Sequence, residues 1–255
     1  MIFQAQHIEV GYDKKSVLKA EHLQIEAGNF YFLLGKNGSG KSTLLRSLIG
    51  IQKILTGDVE LNGNALNRFS RAELSKRICF VQSQNAGIDY LSVFDYVAFG
   101  RMPYTGYLGK LSTADFEKVD QAIELLGIQN LKERMITELS DGEFRKCTLA
   151  QAFCQETDIL FVDEPTAHLD IAAKSELFHL LKKMSVEKGR AIVVASHEVQ
   201  SALIHADEIW LIDQAEVQIG SAKALLENGA IDRVFGNEHV SFKDFLHQLK
   251  SMKIV

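Results

Sequence analysis

Residues 35–43 read Gly35-Lys36-Asn37-Gly38-Ser39-Gly40-Lys41-Ser42-Thr43, and these types at this spacing can hold a phosphate chain. Glycines let the backbone curl until successive N–H groups point at one spot. A helix starting there adds the positive end of its dipole. Lys41 then reaches terminal phosphates, and the Ser42 hydroxyl suits Mg²⁺. The flanks agree. Phe30-Tyr31-Phe32-Leu33-Leu34 is a short apolar run of strand type, and residues 43–49 have helical spacing. A bare glycine turn before a helix would need neither the lysine nor the serine.

A second constellation closes Ile159-Leu160-Phe161-Val162-Asp163-Glu164-Pro165, an apolar strand ending in two acids. Side chains at the carboxyl end of a parallel strand meet the ligand crevice. Asp163 is placed to bind the Mg²⁺ shell. Glu164 would face an attacking water as general base. Taken alone, the pair could be an exposed acidic turn; the glycine loop in the same chain favours the catalytic reading. Just upstream, Ser140 and Glu143 form a Ser-x-x-Glu capping box that opens a helix.

These groups need a frame. Residues 3–10 and 17–26 alternate as strands, with a turn expected at Gly11-Tyr12-Asp13. Residues 57–61 form another candidate strand, ended by the Asn62-Gly63 turn signal. Phe116, Val119, Ala122, Ile123 and Leu126 fall at helical spacing, with Ser112 or Thr113 as cap and Gly127 as stop. Residues 159–162 and 191–195 are continuous apolar runs, as buried parallel strands require. A crossover helix at 175–184 would join them. Residues 208–212 and 216–219 suggest a last hairpin. The expected fold class is α/β: a phosphate-loop NTPase core with a mainly parallel sheet (1–92 and 157–255), an N-terminal antiparallel β-subdomain, and an inserted helical subdomain (93–156).

Bulk composition bounds the rest. The chain has 255 residues, 46% hydrophobic and 24% charged, enough for a substantial core. A net charge of −5 disfavours a nucleic-acid partner. Cys79, Cys147 and Cys154 have no close-spaced pair and read as buried free thiols. No apolar stretch approaches the roughly 18 residues that span a bilayer, and no signal peptide is visible. The expected location is cytoplasmic, with membrane attachment only through another protein.

The order of glycine loop, Leu139-Ser140-Asp141-Gly142-Glu143, acidic strand, Thr166-Ala167-His168-Leu169-Asp170 and Ser196-His197 resembles the ATP-binding-cassette ATPases over nearly the whole chain. That resemblance implies ATP contacts at Gly35, Asn37, Gly38, Ser39, Gly40, Lys41, Ser42 and Thr43. It implies adenine stacking on Tyr12, whose other reading is packing on the sheet. It implies a γ-phosphate contact at His197, a link between two active sites at Asp170, and a lid from Ser140 and Gly142 over ATP held by a second copy. Asp141 departs from the family's usual glycine. The family's glutamine ligand to Mg²⁺ falls at Ser83 by count, between Gln82 and Gln84, and the sequence does not choose. Val97-Ala98-Phe99-Gly100-Arg101-Met102-Pro103-Tyr104 resembles a segment of importer ATPases for iron–siderophore, haem and cobalamin, near the permease-docking groove. Met102, Tyr104, Tyr107 and Leu108 then read as partner surface, or as packing within the helical subdomain. The expected partners are a second copy, separate permease chains and, indirectly, a substrate-binding protein. An exporter subunit would carry the same motor chemistry. A soluble cassette ATPase of a protein-assembly system is the other alternative; the absence of a long heptad pattern argues only against the DNA-repair type, which carries long coiled coils.

Overall fold

The computed structural model describes residues 2–82, 90–106, 109–166, 169–236 and 242. Strands β1 (Ile2–Tyr12) and β2 (Lys15–Glu26) pair antiparallel. The turn between them is Asp13-Lys14, at φ 47° and 66°, a two-residue geometry that matches strand twist. It sits later than the sequence predicts, because Gly11 and Tyr12 extend β1. Gly11 is needed there for close approach: a Cβ would lie 1.9 Å from the Lys15 carbonyl oxygen.

Strand β3 (Phe30–Leu34) leads through the glycine loop into α1 (Lys41–Leu48). Next come β4 (Thr56–Leu61), the Asn62-Gly63 turn, β5 (Asn64–Ala65), α2 (Arg71–Ser75) and β6 (Ile78–Val81). Helices α3 (Val93–Ala98), α4 (Thr113–Leu125) and α5 (Asp141–Cys154) follow before β7 (Ile159–Asp163). The chain continues through α6 (Ile171–Lys188), β8 (Ala191–Ser196), α7 (Val199–His205), β9 (Glu208–Asp213), β10 (Glu216–Gly220), α8 (Ala222–Glu227) and α9 (Ala230–Phe235).

Among the described residues one sheet runs β5-β4-β1-β2-β10-β9-β3-β8-β7-β6. Its β9-β3-β8-β7-β6 half is parallel, and its β5-β4-β1-β2 half is antiparallel. The β9–β10 hairpin joins the halves. Alternate residues of the parallel strands enter different cores. Phe30, Phe32, Leu34, Leu160 and Val162 pack toward α3 to α7. Tyr31, Leu33, Ile159 and Phe161 pack toward α1 and the antiparallel strands. Both faces are covered, so these strands read as unbroken apolar runs rather than alternations.

The helices between β6 and β7 are fixed by polar contacts as well as apolar ones. Ser112 caps α4 and accepts from the Asp115 N–H, so Ser112 rather than Thr113 is the cap. The Phe99–Tyr104 segment is a 3₁₀ helix. Gly100 lies against α5, where a Cβ would fall 2.3 Å from the Gln151 carbonyl oxygen. Arg101 is buried and donates to Asp115 Oδ1 (2.9 Å), the Cys154 carbonyl (2.8 Å) and Glu156 Oε2 (3.0 Å). Its guanidinium stacks 4.1 Å from the Tyr104 ring centre. This part of the 97–104 motif therefore does packing, while Met102 stays 59% exposed. Tyr107 and Leu108 lie outside the described residues. All three cysteines are buried and unpaired, and burial pushes each thiol up to about 12. Among the described residues no helix is long and apolar enough to cross a membrane.

Candidate functional site

The glycine loop needs backbone that only glycine adopts cheaply. Gly38 and Gly40 sit at φ 78° and 99°. Gly35 is pressed under the Ser39 side chain, whose Oγ would be 2.6 Å from an added Cβ. Gly40 precedes α1 without offering a side-chain cap, and no acid lies in the helix's first turn. A helix start with no cap of its own is suited to an anion. Ser39 Oγ is buried with no hydrogen-bond partner. The loop therefore has the glycine cradle, the unsatisfied donor and the dipole end that a phosphate chain requires.

Lys41 is buried and turned back on the loop. Its Nζ donates to the Gly35 carbonyl (2.9 Å) and the Lys36 carbonyl (3.2 Å). It also lies 3.1 Å from Glu164 Oε1. That last contact is ionic without hydrogen-bond alignment, so Oε1 is buried and lacks a donor. On its other oxygen, Glu164 Oε2 meets His197 Nδ1 at 3.0 Å. Lys41, Glu164 and His197, from three separate elements, thus form one chain of contacts.

Sheet topology explains the meeting. In the parallel register Asp163 stands opposite Ala195, and Leu34 opposite Ser196, so β3, β7 and β8 end together. Glu164 follows β7 at φ 44°, a strained conformation for a residue with a side chain. Its N–H is held by the Ala195 carbonyl at 2.9 Å. Asp163 is 3% exposed, and its Oδ1 has no hydrogen-bond partner. Burial pushes the Asp163 carboxyl up; the Ser42 hydroxyl bonded to it, and the charges of Arg46 and Lys41, act the other way. A buried carboxylate oxygen without a donor, next to the Ser42 hydroxyl, is a donor set that fits a hard cation such as Mg²⁺.

The remaining predicted residues fall as follows. Tyr12 is half-exposed, with its hydroxyl 3.2 Å from Thr43 Oγ1, so its ring borders the helix start. Ser140 caps α5 and shares the expected box with Glu143. Asp141 is exposed. A Cβ on Gly142 would touch Leu169 at 3.5 Å, so the start of α5 abuts the Asp170 loop. Asp170 caps α6 through the Ala173 N–H at 2.8 Å. Gln82 is exposed at the end of β6; Asn37 is exposed in the loop; Gln84 lies outside the described residues.

Sequence reasoning missed Arg145. It is buried and donates to the Gln82 carbonyl and to the Glu164 carbonyl, each at 3.1 Å. Burial lowers its guanidinium from the ordinary value, and the Asp163 charge partly offsets that. The one available signal was a basic residue five positions after the Ser140 cap, on the side of α5 that turns inward.

Comparison with known proteins agrees with this geometry. The model of the ABC transporter family matches residues 18–167. An uncharacterized ABC transporter ATP-binding protein of Methanocaldococcus jannaschii is 31% identical over 246 residues, covering 96% of this chain and 85% of its own. The petrobactin import ATP-binding protein FpuC of Bacillus anthracis is 30% identical over 218 residues, covering 85% and 80%. Among solved structures, cbiO1 of Clostridium perfringens, part of the ABC transporter complex cbiONQ, superposes with a TM-score of 0.77 at 27% identity. That match covers 91% of this chain and 92% of cbiO1. The chain therefore belongs to the ABC transporter family and is one of its ATP-binding, ATP-hydrolysing subunits.

Proposed function

We propose that this subunit powers import of a metal chelate, of the iron–siderophore, haem or cobalamin class, through a separate permease fed by a substrate-binding protein. The petrobactin-import relative supports the direction and the class. The observation that carries the hydrolytic reading is Glu164, strained at a strand end, between Lys41 at 3.1 Å and His197 at 3.0 Å. The reading takes residues 93–156 as a helical subdomain carried by the α/β core. It places the subunit on the inner face of a membrane, held there by the permease.

The chain's own groups divide the work. When bound, the nucleotide would supply the transferable phosphoryl group, and Mg²⁺ would supply a counter-charge to its phosphates. Ser42 and Asp163 would hold the ion, and Gln82 or Gln84 would complete its shell. The N–H groups of 35–43 cradle the phosphates. Lys41 leaves the Gly35 and Lys36 carbonyls for the phosphate tail, and so frees Glu164 Oε1 to take a proton from water. His197 orients Glu164 through Oε2 and faces the terminal phosphate. Tyr12 stacks on adenine. Two copies close head to tail, so that Ser140 and Gly142 of the partner subunit cover the tail and exclude water. Asp170 connects the two sites.

Replacing Glu164 with glutamine tests the assignment. Turnover should fall by at least about a hundredfold, the usual scale for losing a general base. The affinity for ATP should stay within about threefold, because Lys41 loses a competitor and no phosphate ligand is removed. Size-exclusion chromatography with ATP should show a trapped dimer. Steady-state hydrolysis at the parental rate would sink the role of Glu164. For the direction of transport, solubilised membranes should yield this subunit with a permease and a binding protein; a permease that works without any binding protein would contradict import.

A further inference from the structure

We propose that Arg145 is a positioning residue for hydrolysis: from α5 it fixes the backbones that carry Glu164 and Gln82, and so ties the base to the helical lobe. The inference rests on reading Glu164 as the base.

Arg145 is 8% exposed. Among the described residues no carboxylate lies within ion-pair distance of it, whereas the equally buried Arg101 meets Asp115 and Glu156. A buried guanidinium without an anion is costly unless its donors are met elsewhere. Here they are met by two main-chain carbonyls. Nη1 reaches the Gln82 oxygen and Nη2 the Glu164 oxygen, each at 3.1 Å. The planar fork of arginine suits such a bridge.

The two carbonyls lie at one end of the sheet. Gln82 follows β6 and Glu164 follows β7, and those strands pair in parallel with Val81 opposite Val162. Arg145 belongs to neither. It rides on α5, the helix that opens with Ser140 and Gly142. One side chain therefore spans from the helix of the lid to the base.

Strain makes the bridge matter. Glu164 at φ 44° is in a region that is strained for a side-chain-bearing residue and persists only when its surroundings over-determine it. Its N–H is held by the Ala195 carbonyl, and its carbonyl by Arg145. Release of the carbonyl lets the peptide relax, and the carboxylate moves with it. A misplacement of about 1 Å can cost a hundredfold in rate. In the proposed reading, the phosphates and the adenine are held chiefly by the glycine loop, α1 and Tyr12, none of which Arg145 bonds to, so affinity should be spared.

The test compares Arg145→Met, Arg145→Lys and the control Lys146→Met in the full chain. Lys146 is a partly exposed neighbour whose nearest acid, Glu176, is 3.9 Å away. Arg145→Met should lower kcat by about tenfold or more, with KM for ATP and nucleotide affinity within about threefold. Lysine keeps the charge and loses the fork, so its kcat should lie between the methionine variant and the parent. Lys146→Met should match the parent. If Arg145→Met does not fold, Arg145→Lys decides alone: a kcat reduced by more than about threefold supports the bridge, and a smaller change overturns it. A lower Tm with parental kcat per folded molecule, or a loss confined to KM, would also overturn it. Glu164→Gln is assayed beside them. If it keeps turnover, the base assignment fails whatever Arg145 does; if it stops turnover while the Arg145 variants do not, the positioning role alone fails.

Discussion

Tyr12 ends β1 with its ring half in solvent and its hydroxyl 3.2 Å from Thr43 Oγ1. Two interactions are available to it, and they separate by substitution. Removing the hydroxyl breaks one partly exposed hydrogen bond, worth about 1 kcal/mol or less. Removing the ring takes away the stacking platform, worth about 1–3 kcal/mol for a base on an aromatic. Tyr12→Phe should therefore bind ATP within about fivefold of the parent, and Tyr12→Ala should bind it about 5- to 150-fold more weakly. ADP should follow ATP, because the proposed stacking engages the base, which the two nucleotides share. Fluorescence titration of both nucleotides checks this. Equal affinities for Tyr12→Ala and the parent would return Tyr12 to sheet packing.

At the scale of the element, α4 shows a helix secured from outside its own sequence. The Ser112 hydroxyl and N–H, together with the Arg101 guanidinium, hold the Asp115 carboxyl down at about 2, below its ordinary 3.8. A depressed carboxyl contributes stability that is complete above its unfolded value and is lost as pH falls through the folded one. Asp115→Asn should thus cost about 2 kcal/mol at pH 7, a few degrees in Tm, from the size of that shift. The difference from the parent should shrink between about pH 4 and pH 2. Urea midpoints at pH 7 and pH 3 measure it, and a pH-independent gap would remove the ionic explanation. The same helix illustrates what a sequence discloses. Its apolar spacing, cap and glycine stop were legible because each is local. So were the runs of β7 and β8, whose burial on both faces dictates composition. The glycine loop and the acid pair were legible because their chemistry restricts residue type at fixed spacing. Arg101 and Arg145 were not, since their partners come from residues far along the chain and only the folded register brings them near. The turn at Asp13-Lys14 was missed for a smaller reason: Gly11 is a glycine for close backbone approach, not for turning.

For the whole molecule, the proposed closure of two copies would bring α5 of one to the phosphates of the other, and Asp141 would then carry the most informative departure from the family pattern. It is exposed at the first position of α5. There its charge favours the helix by about 0.3–1 kcal/mol through the dipole. Facing a triphosphate, the same charge is repulsive. At about 10 Å through water, each pair of unit charges costs about 0.4 kcal/mol, so a multiply charged tail raises the figure to about 1 kcal/mol per site. A symmetric dimer would have two such sites, which would make closure about thirtyfold weaker than without the charge. Open apo subunits and rapid reopening after hydrolysis would follow. In a Glu164→Gln background, where the dimer does not turn over, Asp141→Asn should tighten ATP-driven dimerisation by roughly that factor. Salt supplies an independent check. Raising ionic strength from about 0.05 to about 0.5 M screens exposed charges, so it should tighten the Asp141 dimer more than the asparagine one. Analytical ultracentrifugation with ATP at both salts reads both effects. An asparagine dimer no tighter than the parent, with the same salt response, would mean that Asp141 points away from the shared site and that its charge does not oppose closure.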